Sequence, residues 1–229
     1  MLNLTTKNEK NMKTNFKYLF ALLFVFSFIT VQAGIIKSMT RKLPAKKSNE
    51  KVATFAGGCF WALSEAMSEL KGVTKVVSGY AAGTTKNPTY EEVCTRTTGH
   101  AETVQVYYDS TVIDFATLAK AFFYAHDPTT LNRQGPDEGT DYRSIAFYRS
   151  NEEKAILEKV IASVNQSHHY KNPIVTERLP FKVFYKAENY HQGYYRLHPE
   201  SGYIEGVSKP KVMKMREAMA KQLKPEFVK

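Results

Sequence analysis

The sequence predicts an α+β domain: a two-layer ferredoxin-like sandwich with a mixed sheet, helices packed on it, and one more helix at the C-terminal end. Three observations predict it. From residue 51 onward the hydrophobic period switches between 2 and 3.6 residues in the order β-α-β, β-α-β, then additions, which is the split β-α-β pattern. At 229 residues, 43% hydrophobic and 24% charged, the chain has globular composition and enough length for one well-cored domain plus appendages. No internal repeat or low-complexity tract interrupts the pattern.

Each element has its own local reason. "KVATFA" (51–56) alternates and is rich in β-formers, so it is a strand, broken by Gly57 and Gly58. Phe60, Leu63, Met67 and Leu70 then recur at helical spacing, with Ala66 beside them, and Gly72 ends that helix. "VTKVVSGYA" (73–81) is a second strand, and "GTTKNPTYEEV" (83–93) an excursion off the core. "ETVQVYYD" (102–109) alternates as a third strand, and "DFATLAKAFFYAH" (114–126) is a helix with Asp114 as N-cap. "DPTTLNRQGPDEGTDY" (127–142) is full of turn formers and reads as a long loop, a length that is commonly functional. "RSIAFYRS" (143–150) is a fourth strand, followed by a helix over 151–169 capped by Asn151 or Ser150. "PIVTERL" (173–179) and "FKVFY" (181–185) are short strands, and 209–223 is the C-terminal helix.

The two ends are basic. Lys7, Lys10, Lys13 and Lys17 precede the apolar run "YLFALLFVFSFITV" and then "VQAG", with Val31 and Ala33 at the minus-three and minus-one positions. Positive flank, short apolar core and small-residue site make residues 1–33 a secretory signal peptide, cleaved near Ala33; the run is shorter than the ~20 residues that span a bilayer. A retained anchor is the competing reading. Residues 34–50 are a polar, basic linker, 51–207 the folded domain, and 208–229 a basic C-terminal helix or tail. The expected location is exported, periplasmic or secreted, with membrane contact only during export. The net charge is +10, but the basic residues are scattered except before Lys51 and after Ser208. No zinc-finger, helix-turn-helix or RNP pattern accompanies them, so a nucleic-acid partner is not expected.

The chain has only two cysteines, Cys59 and Cys94. In an oxidising compartment they would ordinarily form one structural disulfide. Yet Cys59 follows a strand and opens a helix, where unpaired N–H groups and the positive dipole end favour an anion, so its pKa is expected to be lowered and its reactivity raised. The glycines before it permit a sharp turn, and Trp61, off the Phe60/Leu63/Met67 stripe, is a candidate wall for an apolar substrate group. A thiolate attacking an oxygen-bearing centre needs a proton donor. The candidates are Glu102, on the strand face shared with Val104 and Val106, and the tyrosines Tyr90 and Tyr142. Burial on that face would raise the pKa of Glu102 and make it an acid at neutral pH.

"GGCFW", "NPTYEEVC", "TGHAETV", "HDPTTLNRQGPDEGTDYRS" and "AENYHQGYY" resemble, in order and spacing, the type A peptide methionine sulfoxide reductases over residues 52–203. The resemblance implies a two-layer α+β fold and reduction of the S-epimer of methionine sulfoxide, free or in proteins. It implies Cys59 as nucleophile, Phe60 and Trp61 around the S-methyl group, and Glu102 as proton donor. It further implies Tyr90 and Tyr142 on the sulfoxide oxygen and Asp137 ordering the site through water. No metal or organic cofactor is implied; a cysteine sulfenic acid forms and a thiol reduces it.

The sequence departs from the family pattern at its end. Many members follow "GY" with a resolving cysteine in a glycine-rich tail, whereas this chain has Ile204 there and no cysteine downstream. The usual internal disulfide cannot form at that place, so the expected reductant is external, a thioredoxin-type protein or a small thiol. Two readings compete. One is an exported, non-enzymatic binding domain with a Cys59–Cys94 disulfide. The other is a thiol hydrolase pairing Cys59 with His100, His126 or His191.

Overall fold

The structure is a computed structural model that describes residues 49–228; the expected signal peptide and residues 34–48 of the expected linker lie outside the described residues. In chain order the elements are β1 (Glu50–Ala56), α1 (Phe60–Ser68), β2 (Val73–Ala81), α2 (Tyr90–Cys94), β3 (Ala101–Asp109) and α3 (Phe115–Tyr124). A small hairpin of β4 (Arg133–Gln134) and β5 (Asp137–Glu138) follows, then β6 (Ile145–Tyr148), α4 (Asn151–Gln166), β7 (Glu177–Pro180) and β8 (Phe184–Lys186). A short α5 (Tyr194–Leu197) and a π-helical turn (Ile204–Ser208) lead into α6 (Lys209–Ala218).

The main sheet runs β7-β6-β1-β3-β2-β8. Its central order β6-β1-β3-β2 is antiparallel throughout, as two interlocked split β-α-β units require. β7 lies parallel to β6, which makes the sheet mixed, and β8 adds antiparallel to β2.

Of the helical stripe read from the sequence, Phe60, Leu63 and Met67 form the face α1 buries, each at most 1% exposed; the helix ends at Ser68, short of the expected stop at Gly72, and Leu70, also fully buried, lies beyond it in a bridge to Leu223. Across from that face Phe55 of β1 stacks on Phe122 (4.7 Å between centroids) and Phe115 (6.1 Å) of α3. Removing such side chains from water is the main force holding helix layer to sheet, roughly 1.5–3 kcal/mol for each one fully buried.

Caps fix where the helices start. Asp114 accepts from the Thr117 amide (2.7 Å) to open α3, and Ser150, not Asn151, caps α4 through the Glu153 amide (3.1 Å). The excursion over 83–93 contains α2, which the hydrophobic period does not show at five residues. It begins with a capping box, the Glu92 amide donating to Thr89 Oγ1 (3.3 Å) and the Thr89 amide to Glu92 Oε2 (2.9 Å). The long loop 127–142 holds the β4–β5 hairpin and a 3₁₀ turn at Thr140–Tyr142. The expected strand 173–179 begins only at Glu177, the one over 181–185 is paired at Phe184–Lys186, and the C-terminal helix ends at Ala218.

Candidate active site

β1 ends at Ala56, and the chain must turn at once into α1. Gly57 allows it because a Cβ there would lie 2.9 Å from the Phe122 and His126 rings. Gly58 has φ +80°, and a Cβ on it would sit 2.6 Å from Cγ of Gln134 on the hairpin. Glycine thus lets β4 press against the turn that presents Cys59, the N-cap of α1, which is 6% exposed.

Glu102 comes from β3 and shares its buried face with Val104 and Val106; it is 2% exposed. The β2–β3 register sets it opposite Tyr80, and its Oε2 accepts the Phe60 amide at 2.9 Å. The first free N–H of α1 therefore serves the carboxyl group beside the cysteine. Burial, helped by the charges of Asp141 and Asp137, pushes the Glu102 pKa up to about 8, against the pull of the Phe60 amide and of the Cys59 thiol.

Cys59 corrects the expectation of a lowered pKa. Burial first, and the Glu102 charge second, push its thiol well above the ordinary value; the Trp61 amide and the Tyr203 hydroxyl act the other way without prevailing. The helix terminus does favour the anion, but desolvation of a closed-in sulfur is larger. At rest the site is a buried thiol against a buried carboxylic acid.

Tyr90, at the start of α2, and Tyr142, in the 3₁₀ turn, are half-buried beside this pair. Burial and the Glu102 charge push both phenols upward, so they remain neutral donors. The Tyr90 amide donates to Glu188 Oε1 (2.9 Å), and the Tyr80 hydroxyl to Glu188 Oε2 (2.9 Å), which fixes the start of α2 over β2. Phe60 is fully buried. Trp61 is partly open, with its Nε1–H donating to Nδ1 of His191 (3.1 Å), its ring stacked on Tyr194 (3.8 Å between centroids) and set perpendicular to Tyr203 (5.7 Å). Asp137, beside the turn of the hairpin, acts near the cysteine through a side chain: the Tyr203 hydroxyl donates to Asp137 Oδ2 at 2.6 Å and also favours the anionic form of the Cys59 sulfur.

The six other residues picked from the sequence, Phe60, Trp61, Tyr90, Glu102, Asp137 and Tyr142, thus lie around Cys59. Sequence reasoning missed Tyr203, Tyr194, Glu188 and the positioning contact of His191. The blocks "NYHQGYY" and "SGY" contain most of them, but only the fold shows that they return to a cysteine more than a hundred positions earlier.

The competing readings lose their footing here. Cys59 and Cys94 are both free thiols, one buried and one exposed. His126 is occupied by the Phe122 carbonyl and Ser144 Oγ (2.7 Å each), and burial lowers its pKa to about 4. His100 accepts from the Gly83 amide (3.1 Å) and pairs with the Thr85 carbonyl (2.8 Å), while His191 serves Trp61. Among the described residues, no group of three or more His, Cys, Asp or Glu side chains could hold a metal.

A closed-in thiol, an adjacent carboxylic acid, two neutral phenols and an aromatic wall suit a small apolar substituent carrying one polar oxygen. The comparisons agree with that chemistry. The family model "Peptide methionine sulfoxide reductase" matches residues 51–224. The chain is 48% identical over 176 residues to "Peptide methionine sulfoxide reductase MsrA" of Thermus thermophilus, covering 77% of this chain and 99% of that protein. It is 51% identical over 162 residues to the protein of the same name from Leptospira borgpetersenii, covering 71% and 91%. Among solved structures it is similar to reduced Mxr1 from Saccharomyces cerevisiae (TM-score 0.64, 34% identity, 70% of this chain and 92% of that one). It is also similar to methionine sulfoxide reductase A of Corynebacterium diphtheriae (TM-score 0.60, 33% identity, 68% and 78%).

Proposed function

The chain belongs to the peptide methionine sulfoxide reductase family, and from that premise we propose that it reduces the S-epimer of methionine sulfoxide, free or in exported proteins, through a sulfenic acid on Cys59. The observation that carries the reading is the Cys59–Glu102 pair: a buried thiol beside a carboxyl group whose pKa is about 8, anchored by the Phe60 amide.

A sulfoxide sulfur resists nucleophiles until its oxygen gains a proton. Glu102, protonated at neutral pH, supplies it, and Tyr90 and Tyr142 donate hydrogen bonds to the same oxygen as it gathers charge. Trp61, with Phe60 beneath, receives the S-methyl group, while Asp137 and Tyr203 steady the sulfur of Cys59. The Cys59 sulfur attacks the substrate sulfur and forms an S–S bond as the protonated S–O bond breaks and the oxygen leaves as water; water then attacks the Cys59 sulfur, and the S–S bond breaks with its electron pair passing to the substrate sulfur. The balance is Cys59–SH plus sulfoxide giving Cys59–SOH plus thioether, two electrons moving from the enzyme sulfur to the substrate sulfur. Two equivalents of external thiol, from a thioredoxin-type protein or a small thiol, return Cys59–SOH to the thiol with release of water and a disulfide.

The tripartite pattern of residues 1–33 supports export before this chemistry begins. One preparation tests the reading: the chain recovered from the exported fraction, its N-terminus sequenced, then assayed on resolved sulfoxides with dithiothreitol. Expected are an N-terminus near Gly34, turnover of the S-epimer alone, and none in Cys59→Ser. Equal turnover of the two epimers, or turnover surviving in Cys59→Ser, would overturn the mechanism; a full-length chain retained in the cytoplasm would overturn export.

A further inference from the structure

The C-terminal helix stands where the family's cysteine-bearing tail would be, and it sends one side chain back to the site. Nζ of Lys211, on α6, pairs with Asp137 Oδ2 at 3.5 Å and donates to the Gln134 carbonyl at 3.4 Å. Those two acceptors bracket the turn of the β4–β5 hairpin. Lys211 is only 16% exposed and Asp137 11%, an unusual depth for an ion pair that could reach water. On its inner side the same hairpin is held by the Gln134 side chain, which accepts from the Asp127 amide (2.9 Å) and packs against Gly58.

We propose that Lys211 is a positioning residue of the reductase: by clamping the hairpin and balancing Asp137, it holds the Tyr203 hydroxyl on the sulfur of Cys59. The chain of contact is Lys211 to Asp137 (3.5 Å) and Asp137 to Tyr203 (2.6 Å), and the Tyr203 hydroxyl in turn favours the anionic form of Cys59. The Tyr203 proton can serve either the carboxylate or the developing thiolate. A bare carboxylate would keep that proton and repel the thiolate; a carboxylate already paired with an ammonium group competes less well for it. Lys211 thereby eases ionisation of Cys59 without touching substrate.

The inference rests on the reductase reading only for its turnover arm, since the state of the Cys59 thiol can be read without substrate. In a Cys94→Ser background, which leaves Cys59 as the single thiol, iodoacetamide alkylation is followed against pH for Lys211→Met, Lys211→Gln and Lys211→Arg, with melting temperature recorded for each. Expected for Met and Gln is a rise of about one pH unit in the alkylation midpoint, and about tenfold lower kcat at neutral pH with KM little changed. Arg should restore both toward the starting values. Adding Asp137→Asn to Lys211→Met should remove the shift, because the unbalanced carboxylate is then gone. A midpoint in Lys211→Met and Lys211→Gln equal to that of the parent would overturn the proposal. So would a loss of kcat without any change in that midpoint, which would reduce Lys211 to packing. If the reductase reading itself failed, turnover would be absent in every variant while the midpoint shift remained.

Discussion

Glu102 shows how one side chain acquires its chemistry from its surroundings. In water a glutamic acid with an ordinary pKa of 4.5 is ionised at neutral pH and useless as an acid; buried on β3 it titrates at about 8. Below that value it carries the proton that the proposed reduction requires, so the chemical step should fall as pH rises through about 8. Glu102→Gln keeps the Phe60 contact but has no proton to give. The expected result in single-turnover kinetics is a loss of roughly 10²–10⁴-fold with the alkaline limb abolished and substrate affinity nearly unchanged. A rate equal to wild type across neutral pH would remove Glu102 from the reaction. The same shift has a stability consequence: the folded chain holds a proton that the unfolded chain releases, so stability declines between pH 4.5 and about 8 and levels off above. The carboxyl group was legible in the sequence because its alternation with Val104 and Val106 is local. The raised pKa of Cys59 was not, because the helix N-terminus is written in neighbouring residues while burial comes from β3, the hairpin and Tyr203. Tyr203, Tyr194 and the contact of His191 with Trp61 escaped for the same reason.

Among the elements, α1 links chemistry to framework. Its first turn presents Cys59, and its end carries Glu69, fully buried, whose carboxylate receives both Nη2 (2.6 Å) and Nε (2.7 Å) of Arg216 from α6. Nearby, the Lys71 amide donates to the Gln222 carbonyl (2.8 Å), the Lys224 amide to the Glu69 carbonyl (2.8 Å), and Phe227 lies against the guanidinium groups of Arg196 and Arg216. The C-terminal segment is thereby fastened to the helix that holds the nucleophile. Arg216→Met should leave Glu69 buried without its partner and cost roughly 3–5 kcal/mol in urea unfolding, while Glu69→Met/Arg216→Met should recover much of that loss. Equal stability of Arg216→Met and the double variant would show that the loss does not come from an unpaired buried carboxylate. α1, β2 and α3 were readable because each repeats its period over several turns or pairs. α2 was too short for that and declared itself only through Thr89 and Glu92. The hairpin in 127–142 depends on Gln134 finding Asp127 and Lys211, contacts no local pattern announces.

At the scale of the whole molecule, the sheet order followed from the sequence because two β-α-β units in succession leave few ways to interleave four strands. The edge strands β7 and β8, short and paired late, did not. How the enzyme is recycled is also a whole-molecule question. Ile204, where a resolving cysteine would stand, is 2% exposed in the turn that starts the α6 arm, and no cysteine follows it. The remaining thiol, Cys94, closes the capped helix α2 and is exposed, so it belongs to the framework rather than to a mobile tail. Burial raises its pKa as well, which makes it a poor nucleophile toward a sulfenic acid. A Cys59–Cys94 bond would need Cα atoms within about 7 Å between two elements each fixed by its own contacts. Cys94→Ser should therefore turn over at close to the wild-type rate with an external thiol. Mass spectrometry after one equivalent of substrate should show Cys59 as a sulfenic acid or its mixed adduct. A stoichiometric Cys59–Cys94 disulfide, together with loss of turnover in Cys94→Ser, would show instead that α2 moves during the cycle and that Cys94 has taken the resolving role.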